Sequence, residues 1–498
     1  MIDHPNKVIL TIFFLLMAAG GVFAQSPAKD KNWQNLDLRQ DSVFGISTER
    51  AYRELLNGKK GIPVIVAVID GGVDISHEDL RNAIWTNPKE VPDNHKDDDK
   101  NDYTDDVHGW NFLGSEKGSF LVDNAEIVRS LRVEIQKDPA SNTVADLRQQ
   151  IQRKREGMIR SLEKSNERIS VLKTILEKMG KEHPTLNELE DFKYSNEPEL
   201  NMLVYIVKTM KATGQDFAAF KEQLEDQNRS YQNHVDVIYN IDCNPRADQA
   251  GQQPHHGNGN VQGLKGIESL HGTHIAGIIA AGRNNGIGIN GVCSSAKIMA
   301  IRTVPIGEYL DQDMADAIRY AADNGARVIN LSINKNSSPE KKQIDDAVRY
   351  ALDKDVLIIH AAGNNGKEDE LEYPNRNYTT GTQAAAWIEV GASGPKDDKT
   401  LQGWFSNYGK NTDVFAPGVG IYSCIPGNGY KVESGTSMAA PVVAGLAALI
   451  REYYPKLTAV QVKEIIMRSV IKREVLKDKC ISGGVVNAYE ALKLAQTF

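Results

Sequence analysis

Val64-Ile-Val-Ala-Val-Ile-Asp70-Gly-Gly-Val-Asp74 is a run of β-branched and small apolar residues that stops on a carboxylate and turns over two glycines. A continuous apolar run of this length, closed by Gly-Gly, reads as a strand buried on both faces, and such strands belong to parallel sheets. Open parallel sheets place their ligands at the carboxyl ends of the strands, so Asp70 stands where chemistry is expected. Further along, helix and strand alternate: Ala296–Val304, Met314–Asn324, Val328–Ile333, Ile344–Asp353 and Val356–Ala361. Trp387–Ala392, Phe415–Ile421 and Tyr430–Val432 add strands, and Leu457–Ser469 and Asn487–Ala495 close the chain with helices. This βαβα order predicts an α/β fold of three layers, a mostly parallel sheet flanked by helices.

Two further stretches open on small polar residues and continue as apolar helices. They are Leu270-His271-Gly-Thr-His274-Ile-Ala-Gly-Ile-Ile-Ala-Ala281 and Val432-Glu-Ser-Gly-Thr-Ser437-Met-Ala-Ala-Pro-Val-Val-Ala-Gly-Leu-Ala-Ala-Leu-Ile450. A serine at such a junction faces the unpaired N–H groups and positive dipole end of its helix, which favour a developing negative charge. Thr436 or Ser437 would also serve as an ordinary helix cap. The catalytic reading gains because a serine nucleophile needs a base, and the base needs an orienting group. His271 and Asp70 occupy comparable element boundaries and supply both. His360-Ala-Ala-Gly363-Asn364-Asn-Gly366 follows the strand ending at Ile359 and adds a side-chain amide.

The motifs VIDGGVD, HGTHIAG, HAAGNNG and GTSMAAP, in the order Asp, His, Ser, resemble those of the subtilisin-like serine proteases, or subtilases. The resemblance covers roughly 60–80 and 264–498. It implies a subtilisin-like fold in which Ser437 attacks, His271 is the base and Asp70 orients it. Asn364 and the Ser437 N–H would hold the oxyanion, and His274 would be a packed helix residue. Ser332, Ile333 and Asn334 would pair with the substrate backbone, although the family carries Gly where this chain has Asn334. Gly363 and the segment after Asn364 would line the S1 pocket, and the position before Tyr373-Pro374 puts Glu372 at its base. A carboxylate there implies Lys or Arg at P1.

The chemistry would need no cofactor; a structural calcium is the one metal the resemblance implies. Its ligands would be Asp79, Asn285 and the carbonyls of Arg283, Ile287 and Ile289, a hard-oxygen set suited to that ion. The loop is one residue longer than in the family.

Residues 1–24 read as a signal peptide, with Lys7 before the apolar run Val8–Gly21 and Val22-Phe23-Ala24 as a small-residue cleavage site. Export to periplasm or medium follows, with no membrane contact after signal removal. A net charge of −8 argues against a nucleic-acid partner. Residues 25–62 form an N-terminal extension with the amphipathic segment Ser47–Leu56. The peptidase domain occupies 63–498, interrupted by a helical insertion at 115–245. In the insertion, Ile151, Met158, Leu162, Ile169, Leu172, Leu176 and Met179 make one apolar stripe, and Leu200, Leu203, Val207 and Met210 a second. The break at Gly180–Pro184 predicts an antiparallel helical hairpin, either a surface element without chemistry or a lid that docks a partner.

Asp93–Asn111 is acidic and turn-like. Asp97, Asp99 and Asn101 match the start of an EF-hand loop, but Asp102 replaces its Gly and His108 its bidentate Glu, so a solvated acidic turn is expected. His255 and His256 also read as solvated. Cys243, Cys293, Cys424 and Cys480 permit three pairings or remain thiols. The function expected is an exported serine endopeptidase acting on protein or peptide substrates. The alternatives are a peptide ligase using the same site and a non-catalytic binding module built on the insertion.

Overall fold

In chain order the strands are β1 (Ile65–Asp70), β2 (Gly109–Asn111), β3 (Gly114–Ser115), β4 (Gly118–Ser119), β5 (Lys297–Arg302), β6 (Val328–Leu331), β7 (Leu357–Ala361), β8 (Trp387–Ser393), β9 (Val414–Pro417), β10 (Ile421–Ile425), β11 (Gly429–Glu433), β12 (Ile471–Lys472) and β13 (Gly484–Val485). Nine of them form one sheet in the order β12-β13-β9-β8-β7-β6-β1-β5-β2, parallel except for the β12–β13 pair. The computed structural model describes residues 31–115, 118–247, 256–263 and 269–498, so the signal-peptide stretch 1–24 and His255 lie outside the described residues. Among the described residues no helix is long and apolar enough to cross a membrane.

Strand β1 shows why the middle of the sheet is buried on both sides. Val66 and Val68 point into one apolar cluster and Ala67 and Ile69 into the other, the alternation a pleated strand imposes. The chain divides into two compact units, one running from Ile127 to Cys243 and the other holding the sheet.

Within the sheet-bearing unit the N-terminal segment holds two short helices, α1 (Leu38–Asp41) and α2 (Thr48–Ala51), the latter continued by a π-helical turn to Leu56. Trp33, Phe44 and Ile46 are buried there, and the Trp33 indole N–H donates to Gly420 O at 3.1 Å.

In the insertion, α3 (Glu126–Lys137) leads to the 38-residue α4 (Asn142–Met179). Val144, Ile151, Met158, Ser165 and Leu172 are buried at steps of seven, the spacing of a side that faces packed helices. Gly180, at φ 61°, ends α4 in a left-handed cap. The return differs from a single hairpin leg: it runs through α5 (Leu186–Asp191), α6 (Glu197–Thr213) and α7 (Phe217–Asn233). Leu172, Ile175, Met202, Ile206, Phe217 and Phe220 make that unit its own core. Gly214, at φ 72°, caps α6 and explains the additional break. At the base of the unit Val128 and Leu131 pack with Tyr239 and Ile241, and the Arg132 guanidinium donates to the Ile241 and Cys243 carbonyls.

The sheet is flanked by α8 (Leu270–Ala280), α9 (Asp311–Asp323), α10 (Lys341–Asp353), α11 (Thr436–Tyr453), α12 (Ala459–Arg468) and α13 (Ala488–Ala495). Residues of α8 and α11 fall in one apolar cluster and those of α9 and α10 in the other, which gives the three layers. Three expectations change. Phe415–Ile421 breaks in two, because Gly420 turns at φ 68°. Tyr430–Val432 pairs with β10 in a separate antiparallel ribbon rather than joining the sheet. The end of the acidic stretch supplies the edge strand β2. All four cysteines are free thiols.

Candidate active site

The carboxyl ends of β1, β6 and β7 lie side by side in the sheet, and each continues into residues singled out above. Asp70 closes β1 and is 2% exposed. Its carboxylate faces His271 Nδ1 at 3.0 and 2.9 Å and accepts the Gly71 N–H at 2.8 Å. With Nδ1–H donated to the carboxylate, Nε2 is left as the lone-pair nitrogen. Burial pulls the His271 pKa down, but the Asp70 charge and hydrogen bond, helped by Glu433, outweigh it and hold the pKa above the ordinary histidine value.

That approach depends on Gly272. A Cβ there would lie 2.1 Å from Gly72 O and 3.2 Å from Asp70 Cβ, so only glycine lets the first turn of α8 sit against the end of β1. His274 lies one turn on, is fully buried, and faces Lys431 O at 3.1 Å through Nε2. Burial pushes its pKa down to about 3. It is thus a neutral packed residue, whereas His271 is partly open.

Ser437 is the second residue of α11 and is 7% exposed. Its hydroxyl donates to Ser332 O at 3.2 Å, while the Ser332 hydroxyl donates to Ser437 O at 2.9 Å and accepts from Asn330 Nδ2 at 3.0 Å. Asn364 follows β7. Its Oδ1 accepts the Thr436 N–H at 2.9 Å and the Thr436 hydroxyl at 3.0 Å. Two donors on the oxygen fix the amide and leave Nδ2 as the outward group. A Cβ on Gly435 would lie 3.6 Å from Ser437 N and 3.7 Å from Asn364 Nδ2, so both donors flank one small space.

Beyond β6, Ser332, Ile333 and Asn334 are buried. The Ile333 carbonyl accepts from His360 Nε2 at 2.9 Å and Asn334 Nδ2 donates to Ala361 O at 3.2 Å. Asn334 thus ties β6 to β7 where the family carries Gly. Lys335 pairs with Tyr373 in both directions, which sets Glu372 beside Gly363. Glu372 Oε1 accepts from Asn365 Nδ2 at 2.8 Å, and Oε2 would be 2.4 Å from a Gly363 Cβ. Burial pushes its carboxyl up to about 7, against the pull of the Asn365 hydrogen bond.

The sequence model of the subtilase family matches residues 165–489. The thermophilic serine proteinase of Bacillus sp. (strain AK1) is 45% identical over 36% of this chain and 42% of its own length. Subtilisin BL of Lederbergia lenta is 36% identical over 44% of this chain and 73% of its own.

The chain belongs to the subtilase family.

A cell wall-associated protease of Bacillus subtilis (strain 168) is also similar, 37% identical over 44% of this subtilase and 23% of the relative. The spans of the first and third relatives that this subtilase matches are less than half of their lengths. The family match starts within α4, so it takes in His271, Asn364 and Ser437 but not Asp70; Asp70 rests on its hydrogen bonds to His271.

The family implies a calcium ion at the loop that follows α8. Asp79 and Asn285 do come together, but Asn285 Nδ2 donates to Asp79 Oδ1 at 2.6 Å and the Ile289 N–H to Oδ2 at 3.1 Å. Asn285 Oδ1 is turned to the Ile287 N–H at 3.1 Å. The Arg283 guanidinium goes to Gly291 O and to Glu49, both at 2.7 Å. N–H donors from the loop thus meet both Asp79 carboxylate oxygens, and these bonds join Asp79 to the loop.

Sequence reasoning missed the part of Thr436 in orienting Asn364, and Glu389, which binds His360 Nδ1 at 2.7 Å between β7 and β8. A hydroxyl next to the serine was the only signal for the first. His256 corrects the solvated reading: it is 3% exposed and its Nε2 meets Asp313 Oδ1 at 3.1 Å, a partner 57 residues away.

Proposed function

We propose that this subtilase is an exported serine endopeptidase that cleaves peptide bonds through an acyl-enzyme. The observation carrying this reading is the pair of donors, Asn364 Nδ2 and Ser437 N–H, about one space at the start of α11. In the reaction the Ser437 hydroxyl gives up Ser332 O for His271 Nε2, which takes its proton as Oγ bonds to the substrate carbonyl carbon. The carbonyl oxygen becomes the oxyanion between the two donors. His271, now an imidazolium beside Asp70, returns the proton to the leaving amine, and water repeats the sequence to release the acid. Every group needed for these steps is a side chain or backbone N–H. The export reading draws on residues 1–24, and the name of one relative places that protein at a cell wall.

Labelling with a fluorophosphonate tests the proposal: the full chain should label and Ser437→Ala should not. A well-folded wild type that does not label would favour the binding-module reading. Transfer to an added amine in excess of hydrolysis would favour the ligase.

Glu372 supports a basic P1 preference in this site. In the free enzyme its carboxyl, at about 7, is neutral below that pH and charged above it. The ratio of kcat/KM for Lys against Leu at P1 should therefore rise, by roughly tenfold, between pH 6 and 8. In Glu372→Gln the ratio should be flat. Wild-type preference for Leu at every pH, unchanged in the variant, would sink this assignment.

A further inference from the structure

His360, on β7, is buried and takes no part in the chemistry above. Its Nδ1 lies 2.7 Å from Glu389 Oε1 on β8 and its Nε2 2.9 Å from Ile333 O. The Trp387 indole N–H donates to Glu389 Oε2 at 2.8 Å, and the indole lies against the imidazole with ring centroids 5.3 Å apart. Both ring nitrogens therefore face oxygen acceptors. A neutral imidazole has one N–H and satisfies one of them, whereas an imidazolium satisfies both. Burial works against that charge. The Glu389 charge and hydrogen bond outweigh it, with help from the Ile333 carbonyl and Glu372, and hold the His360 pKa above the ordinary histidine value. The charges farther out have partners of their own. Asp413 accepts the Glu389 N–H at 2.8 Å and binds Arg376 at 2.7 Å, while Lys463 of α12 also feels Glu389. Glu370, near Glu372, pairs with Lys367 at 2.8 Å. On the α9 side Lys335 binds Glu126 at 3.1 Å and Asp311 at 2.7 Å.

The acceptor at Nε2 gives the pair its significance. Ile333 is the middle residue of 332–334; Ser332 on one side exchanges hydrogen bonds with Ser437, and Asn334 on the other donates to Ala361 O. The bond to His360 turns the Ile333 carbonyl inward. In a trans peptide the next N–H points the opposite way, so the Asn334 N–H is directed away from His360. We propose that His360, held as an imidazolium by Glu389, is a positioning residue that sets this peptide group for pairing with an extended peptide substrate. The proposal rests on the peptidase reading of 332–334 and adds a pH dependence to it. Once His360 loses its proton, the remaining N–H serves either Glu389 or Ile333 O. The carboxylate is the stronger acceptor, so Ile333 is released. Peptide binding is then complete below the His360 pKa and weakens as pH rises through it.

The test uses the full chain carrying Glu372→Gln, which removes the titration at the base of S1. It compares an extended peptide with a small fluorophosphonate that has no peptide backbone to pair. From neutral to alkaline pH the KM for the peptide should rise about tenfold, roughly the worth of one charge-assisted hydrogen bond, while the labelling rate stays level. Adding Glu389→Gln should abolish the rise. The new amide donates to Nδ1 and keeps the imidazole neutral, with its Nε2–H on Ile333 O at every pH. Adding His360→Leu/Glu389→Gln instead leaves no charge of the pair buried, and it should show the raised KM at every pH with an unchanged labelling rate. A KM that stays level as pH rises, or a rise that persists with Glu389→Gln, overturns the proposal. So does a loss of labelling in the double variant as large as its loss of kcat/KM, the mark of a merely structural role. If the double variant does not fold, the Glu389→Gln profile still decides. A folded wild type that neither labels nor cleaves overturns the peptidase reading, and this proposal with it, before any variant is compared.

Discussion

Ser437→Ala is expected to lower kcat/KM by about 10⁶ and to leave the fold in place. The magnitude is the one established for the subtilisin nucleophile, where the loss of serine or histidine alone removes nearly all that the triad contributes. The fold should survive because the Ser437 hydroxyl makes one hydrogen bond, to Ser332 O. The contacts that hold the first turn of α11, from the Ser332 hydroxyl to Ser437 O and from Thr436 to Asn364, do not involve it. Residual rate should come from the two oxyanion donors, about 10³–10⁴ over water. Asn364→Ala is the informative partner. It should cost about 10²–10³ in kcat, the range known for this donor in subtilisin, and should also lower Tm, since Thr436 loses both bonds to Oδ1. A folded Ser437→Ala enzyme retaining a tenth of wild-type activity would remove this serine from the role of nucleophile.

Gly272→Ala is expected to damage stability and catalysis together. The added methyl would meet Gly72 O at 2.1 Å, well inside van der Waals contact, and Asp70 Cβ at 3.2 Å. Relief by movement of Gly72 is obstructed. That residue holds φ 133°, and its own far side faces Val261 O, 2.9 Å from where a Cβ would lie. α8 must therefore withdraw from β1. Forced overpacking costs about 1–3 kcal/mol and more against rigid backbone, so Tm should fall by roughly 1–4 °C. The same withdrawal lengthens the His271–Asp70 bonds, and displacement of a catalytic group by about 1 Å costs about 10²-fold. Wild-type Tm with wild-type kcat/KM would show that the two elements do not need this close approach.

The parts legible in the sequence were those whose signal is local. The β-branched run ending at Asp70, the His and Ser helix starts and the alternation after His271 each declare themselves within a dozen residues. What escaped was set by partners far along the chain. Trp110 looked like the end of an acidic turn, yet it pairs with Ile301 as the sheet edge. Tyr430–Val432 has strand character but pairs locally with β10, because a turn at Gly427 and Asn428 folds it back before it reaches the sheet. His256 sits in a polar loop and is buried by an aspartate on α9. Glu90 lies seven residues before Asp97 in a stretch that reads as solvated, and the fold brings their carboxylates together. The expected calcium set at Asp79 shows the converse: the residues meet, but their hydrogen bonds run between themselves.

The closed base of the helical unit bears on how the chain finds its fold. Strand β1 must pair with β5 across a separation of 232 residues, Ile65 to Lys297, before Asp70 and His271 can meet. The entropy of closing a flexible loop grows only with the logarithm of its length. The unit from Ile127 to Cys243 has its own core and holds its two ends together through Val128, Leu131, Arg132, Tyr239 and Ile241. Once it has folded, the search that remains is that of a chain about half as long, and a halving of loop length is worth only about 0.6 kcal/mol. The sheet can thus carry more than a hundred extra residues between its acid and its base at almost no cost in chain entropy.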